Sequence, residues 1–263
     1  MNFKKKKGIL LYTHGLGDVI ILTPVLRQLY NKGYIIDLMC RKSVQTSSLL
    51  DNCPYTNKLI IVPNPWQSPL GFGDQTNKNL NQLKKIKSSY DWVGKALHAQ
   101  KISDKITYNF KETNLPCNDL RLEVFIPPKI EKEAMKYIKN NYPNGYIFNH
   151  TTIEFHPAHT WNSINWIKNN LPDLPVIDTG KGGNYYMKFG DINFSFVLAR
   201  EANYRVLSSS VFVHACEAMN VDMEIINYGR PDRKVWPHNQ HLVKRIRENN
   251  KWIKTYNDEK ISA

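Results

Sequence analysis

No run of this sequence is apolar over anything near the roughly 20 residues a membrane-spanning helix requires, and the longest apolar stretches are strand-sized. A secretory leader is not expected either. The basic segment Met1 to Lys7 is followed only by Gly8-Ile9-Leu10-Leu11-Tyr12, too short for a signal core and without a small-residue cleavage site after it. Cysteine is scarce: Cys40, Cys53, Cys117 and Cys216 stand far apart with no Cys-x-x-Cys pair, which argues against a structural zinc site and fits free thiols in a reducing compartment. These absences point to a cytoplasmic protein. Acidic residues are also in deficit, 23 against 36 Lys and Arg, leaving a formal charge of +13. Such an excess draws polyanions such as nucleic acid, anionic lipid or phosphorylated glycan, although a merely solvated lysine-rich surface explains it equally well. Disorder is a poor reading, because 41% of the 263 residues are hydrophobic and only 22% are charged.

What is present is alternation. Ile9 to Tyr12 reads as a buried strand, then a turn, then a helical pattern at Val19, Leu22, Leu26 and Leu29 that Pro24 either kinks or restarts, with Thr23 as cap. Tyr34 to Met39 and Lys58 to Val62 read as strands. Pro63 to Asn79, with three prolines and Trp66, reads as a long loop at a site edge. Leu80 to Lys87 reads as helix, Tyr90 to Val93 and Arg121 to Ile126 as strands, and Ile130 to Asn141 as a basic helix. After Pro143-Asn144-Gly145 the alternation resumes with strands at Tyr146 to Asn149, Pro175 to Ile177, Val211 to Val213 and Met223 to Asn227. Helices are expected at Ile164 to Asn170, Phe196 to Leu207, His214 to Asn220 and Gln240 to Lys254. Two runs of β-α alternation predict an α/β protein of two Rossmann-like domains with mostly parallel sheets, ligands binding at the strand carboxyl ends in the cleft between them. The expected domains are 1–143, 144–240 and a basic helix and tail over 241–263.

Gly15-Leu16-Gly17-Asp18 follows the first strand directly. Glycines there allow close approach of a ligand to the free N–H groups of the next helix. A dinucleotide fingerprint needs a third glycine where Ile20 stands, which counts against a dehydrogenase. The turn instead presents Asp18, a carboxylate able to take a proton from a hydroxyl as general base; capping its own helix is the plainer role. His150, His156 and His159 do not match a His-Glu-x-x-His helix, and no metal is expected. No Gly-x-Ser-x-Gly nucleophile motif occurs.

The run from His14 through Gly15-Leu16-Gly17-Asp18 to Thr23-Pro24-Val25-Leu26-Arg27-Gln28-Leu29 closely resembles the opening motif of the ADP-heptose:lipopolysaccharide heptosyltransferases, glycosyltransferase family 9. Leu122 to Asn141 resembles that family's link into its second domain. His159-Thr160-Trp161-Asn162-Ser163-Ile164-Asn165-Trp166 resembles its Lys-x-Trp-Pro-x-x-x-Trp segment, and His214 to Val221 its donor-facing helix start. The resemblance implies a GT-B fold, an inverting, metal-independent sugar transfer from a nucleotide sugar, and Asp18 as the catalytic carboxylate. Donor contacts would fall to Thr151, Thr152, His159 (or His156), Gly180, Lys181, Gly182, Ser210, His214 and Glu217. On the acceptor side stand His14, Gly15, Gly17 and Trp66. Ser209-Ser210-Val211 replaces the family's Asp-Ser/Thr-Gly, so the resemblance does not carry heptose as the sugar.

The short chain, its charge and its Lys/Asn/Ile/Tyr-rich composition turn the acceptor reading toward DNA, a hydroxymethylated base glycosylated by a compact phage enzyme in host cytoplasm and reached by flipping. A lipopolysaccharide-core acceptor is the alternative. A non-catalytic nucleotide- or nucleic-acid-binding protein is the rival from another class.

Overall fold

The computed structural model describes residues 5–13, 15–62, 72–96, 105–116, 118–151, 163–180, 182–185, 192–208, 210–226 and 252–253. The chain divides into two compact units, Met1–Phe125 and Ile126–Ala263.

The first unit runs β1 (Lys6–Leu11), α1 (Leu16–Asn31), β2 (Tyr34–Cys40), α2 (Lys42–Thr46), β3 (Thr56–Ile61), α3 (Phe72–Ile86), β4 (Trp92–Lys95) and α4 (Lys105–Glu112). Its strands pair in parallel in the order β3-β2-β1-β4. Parallel strands are covered on both faces, and β1 shows it: Ile9, Leu10 and Leu11 are all fully buried. Ile9, Leu11, Met39, Val62 and Leu83 form one cluster, with Leu80 and Ile86 of α3 packed against it. Helix α3 begins at Phe72, so the segment read as loop through Asn79 is helical from that residue on.

Helix α1 is continuous through Pro24. Proline has no N–H to give the carbonyl four residues back, which here is Ile20. The Thr23 hydroxyl donates to that carbonyl instead, at 2.7 Å, and accepts the Glu123 N–H at 2.9 Å. Arg27 reaches the same segment, pairing with Glu123 and Asp119 and donating to the Arg121 carbonyl at 2.9 Å. The stretch Arg121 to Ile126 is therefore held by side chains of α1 and by the Tyr55 hydroxyl on Glu123, not by a ladder, and it is not a strand.

The second unit contains α5 (Pro128–Asn141), β5 (Ile147–His150), α6 (Ile164–Asn170), β6 (Val176–Asp178), α7 (Ile192–Glu201), β7 (Tyr204–Ser208), α8 (Val211–Met219), β8 (Glu224–Ile226) and β9 (Trp252–Ile253). The strands are parallel, in the order β6-β5-β7-β8-β9. Ile147, Ile167 and Val206 form the core under α6, joined by Trp166, Leu171 and Val176. Phe148, Phe196 and Phe212 cluster with centroids 5.1 and 5.7 Å apart.

Three readings of this half change. Phe196 to Leu207 is not one helix: α7 stops at Glu201 and β7 follows, the break stabilised by Arg205, which donates to the carbonyls of Ala199, Arg200, Ala202 and Asp222. Val211 to Val213 opens α8 instead of forming a strand, because Ser210 caps it. Trp252–Ile253 is a strand beside β8, where a helix is expected; the rest of Gln240 to Lys254 lies outside the described residues. Helix α5 belongs with the second unit, tied to α7 by Arg200 to Glu131 at 2.8 Å, so the division falls upstream of Pro143-Asn144-Gly145.

Candidate functional site

In an open parallel sheet, ligands bind outside the strand carboxyl ends where the strand order reverses. In the first unit that point lies between β1 and β4, and the residues leaving β1 there are Tyr12 to Asp18. Asp18 is the third residue of α1 and half-buried. Its Oδ2 accepts the Gly15 N–H at 3.2 Å, so the capping role is real. The position suits an ionised carboxylate, because the unpaired N–H groups of a helix start favour negative charge.

Around Asp18 stand residues that the sequence reading passes over. Tyr12 is buried, and its hydroxyl donates to the Asp18 backbone carbonyl at 2.9 Å and accepts from Asn109 of α4 at 3.5 Å. Burial, and then the Asp18 charge, push the Tyr12 phenol well above its ordinary value, so it stays protonated. Arg41, at the end of β2 and buried, donates through Nε to the Thr13 carbonyl. Burial lowers its guanidinium to about 10, and the Asp18 charge opposes part of that. Arg41 and Asn109 come from elements distant in sequence, and none of the three carries a local motif. Gly15 has φ −74°, open to any residue, and a Cβ there would meet Asp18 Oδ2 at an ordinary 3.7 Å. Neither the turn nor the space beside the carboxylate therefore requires a glycine here. His14 and Trp66 lie outside the described residues; Gly17 sits in the first turn of α1.

In the second unit the order reverses between β5 and β7. The Ser208 hydroxyl ties the two strand ends, donating to the His150 carbonyl at 3.1 Å. Helix α8 starts there, with Ser210 as its cap accepting from the Phe212 N–H at 3.4 Å. A helix start at this point offers N–H groups to an anion. His214 is buried one turn further in, and Glu217 is the seventh residue of α8, about 10 Å along the axis at 1.5 Å per residue. Of the three, Ser210 alone is at the helix start.

Thr151 is fully buried, its hydroxyl bonded to Asn149 Oδ1 at 3.2 Å and Ser163 Oγ at 2.8 Å, while Ser163 donates to the same Asn149 oxygen at 2.8 Å. Its hydroxyl thus fastens the two ends of the 152–162 segment. Thr152, His156 and His159 of that segment lie outside the described residues, as does Lys181. Gly180 and Gly183 close a turn through a 3.0 Å backbone bond, and Gly182, at φ +79°, occupies the left-handed region that glycine tolerates best. The Gly180 N–H is bonded to Asp178 Oδ1 at 2.9 Å, which accounts for this glycine run as a turn.

His150 completes the set. Its Nδ1 lies 3.0 Å from Thr179 Oγ1, and its ring packs on Phe212 with centroids 4.5 Å apart. Although part of the residue remains exposed, burial lowers the imidazole to about 4, a hydrogen bond with the Thr179 backbone opposing it, so the ring is neutral at pH 7.

No family model matches the chain, and no curated protein matches it by sequence. Solved structures do match. A glycosyl transferase family 9 protein from Veillonella parvula superposes with a TM-score of 0.60 at 12% identity, over 97% of this chain and 92% of its own. The ADP-heptose lipopolysaccharide heptosyltransferase II of E. coli gives 0.57 at 11% identity, over 94% and 90%. The E. coli heptosyltransferase WaaC with ADP-2-deoxy-2-fluoro heptose gives 0.55 at 11%, over 94% and 93%. Over nearly its whole length, this chain has the α/β fold of the family 9 glycosyltransferases and heptosyltransferases, the family its sequence motifs resemble.

Proposed function

We propose that the chain is a glycosyltransferase that moves a sugar from a nucleoside-diphosphate donor to an acceptor hydroxyl. The observation that carries this reading is the place of Asp18: a half-buried carboxylate where β1 meets α1, at the strand reversal of a fold shared with family 9 enzymes. In the reaction the acceptor O–H bond breaks, its proton passing to Asp18, while that oxygen bonds to the anomeric carbon. The bond from that carbon to the diphosphate oxygen breaks, and its electron pair leaves with the nucleoside diphosphate. One displacement inverts the anomeric centre. The helix start of α8 and Ser210 would hold the diphosphate, so that no metal is required.

For the acceptor, the likeness to the E. coli ADP-heptose lipopolysaccharide heptosyltransferase II favours a glycan first. No feature among the described residues favours a flipped base, and the charge of +13 alone keeps DNA as the second reading. The Ser209-Ser210-Val211 departure leaves the sugar open. The test is transfer followed by mass spectrometry, with a panel of nucleotide sugars and two acceptors: a truncated lipopolysaccharide core and hydroxymethylcytosine DNA. A sugar-sized gain on the core supports the heptosyltransferase-like reading, and a gain on DNA the second. No gain on either with any donor sinks the transferase reading and leaves a binding protein.

A further inference from the structure

Helix α5 carries Lys129, Lys132, Lys136 and Lys139, spaced by turns of three and four residues. At about 100° per residue the four fall within an arc of about 80°. The middle of that arc lies opposite Ala134, the buried residue of the helix. All four lysines are exposed, so they form the outermost ridge of α5, about 15 Å long at the helical rise. The acids of the helix do little to neutralise it. Glu131 is taken by Arg200 at 2.8 Å, and Glu133 lies 4.0 Å from Lys129 in an exposed pair of small worth. Lys132, Lys136 and Lys139 form no ion pair with any described residue. Met135, one turn before Lys139, borders the ridge and is 41% exposed.

The shape and chemistry of this ridge select its partner. A convex line of charges touches a broad anionic surface along its whole length but cannot enclose a small ligand. Nucleic acid is held by arginine forks, by stacked aromatic rings or by a groove that follows the strand. The ridge has no arginine, and Tyr137 of the same helix packs on Tyr142, Tyr185 and Phe194 instead. Lysine, a point charge on a flexible stem, suits phosphates that lie in no fixed pattern. An exposed methionine beside such charges gains nothing from a phosphate backbone, whereas at a bilayer it enters the boundary between headgroups and acyl chains. We infer that α5 docks the protein on an anionic phospholipid surface, with the lysine ridge against the headgroups. The docking is independent of the transfer chemistry, since a binding protein with the same helix would dock equally.

The test is cosedimentation of the full chain with vesicles of pure phosphatidylcholine and of phosphatidylcholine containing one-third phosphatidylglycerol. Each lysine near an anionic surface is worth about fivefold in affinity. Lys132→Gln/Lys136→Gln/Lys139→Gln, which keeps helix propensity, is expected to bind the anionic vesicles at least about tenfold more weakly than the wild type. Lys84→Gln/Lys85→Gln/Lys87→Gln removes the same charge from exposed positions at the end of α3 and just after it, and should stay within about twofold. Lys132→Arg/Lys136→Arg/Lys139→Arg keeps the ridge charged and should bind as the wild type does, which separates loss of charge from damage to the helix. Failure of the wild type to prefer anionic vesicles overturns the inference and leaves a solvated face. Equal weakening by the α5 and α3 glutamine variants overturns it in favour of net charge alone, and loss of binding in the arginine variant also contradicts it. A fluorescent DNA duplex is titrated against the same proteins. If the α5 glutamine variant loses duplex binding while its vesicle binding is unchanged, the ridge belongs to nucleic acid and the inference falls.

Discussion

At the scale of single residues, the two charge-bearing positions that matter are set by opposite environments. Asp18 sits among groups that suit an anion: helix N–H dipoles, the Gly15 N–H and the nearby Arg41. His150 sits where burial disfavours a cation. This has a consequence for stability. Unfolded, the imidazole titrates near its ordinary 6.5; folded, near 4. Between those values the unfolded chain binds a proton that the folded chain does not, so the contribution is complete above pH 6.5 and is lost as pH falls toward 4, at up to about 1.4 kcal/mol per pH unit. Denaturant melts of the wild type and His150→Gln from pH 7 to 4 should converge as the pH drops; parallel curves would show that His150 is not buried as described. At this scale the sequence was only half legible. Asp18 stands out through its motif, but Arg41 comes beside it from β2 and Asn109 of α4 holds Tyr12, contacts no local pattern reveals, and His150 has no motif of its own.

At the scale of elements, α1 shows why a helix survives its proline. Thr23 places a hydroxyl on the carbonyl that Pro24 leaves without a donor, and the same oxygen accepts the Glu123 N–H. Thr23→Val keeps the shape and removes both bonds, so it should destabilise the fold by about 1–3 kcal/mol, the cost of leaving buried partners unsatisfied. Chemical denaturation reads this directly, and a loss below about 0.5 kcal/mol, the range of ordinary surface changes, would contradict the role. Sequence alone offers a kink or a fresh start at Pro24, because the hydroxyl's partner lies a hundred residues away. The same limit explains the other misread elements. Arg121 to Ile126 looks like a strand in sequence, yet α1 side chains take up its backbone. Val211 to Val213 is β-branched and aromatic, but the serine before it caps a helix, and that cap outweighs the local propensity.

At the scale of the whole molecule, each unit carries one parallel sheet with one reversal of strand order, and the candidate groups lie at those two places. The α/β alternation, the parallel sheets and the likeness to family 9 were all legible, since short apolar runs between helical patterns leave few other topologies. The partition was less so. Pro143-Asn144-Gly145 looks like a break, but the Arg200 to Glu131 pair and the packing of α5 on α7 put the change of unit before α5. The proposed donor seat consists of helix N–H groups and a hydroxyl, which predicts that nucleotide binding measured by calorimetry is unchanged by excess EDTA. A tenfold or greater weakening on chelation would mean that a metal helps to hold the diphosphate.

The most direct test of the account is Asp18→Asn, measured for three quantities in one preparation: stability, donor-nucleotide affinity and transfer rate. Asparagine still presents an oxygen to the Gly15 N–H, so the cap persists, but it is no longer a base for an acceptor hydroxyl. The account predicts stability within about 0.5 kcal/mol of the wild type, unchanged nucleotide binding, and transfer reduced about 10²–10⁴-fold. Transfer at the wild-type rate by a stably folded Asp18→Asn would contradict it and leave Asp18 as the cap of its helix alone.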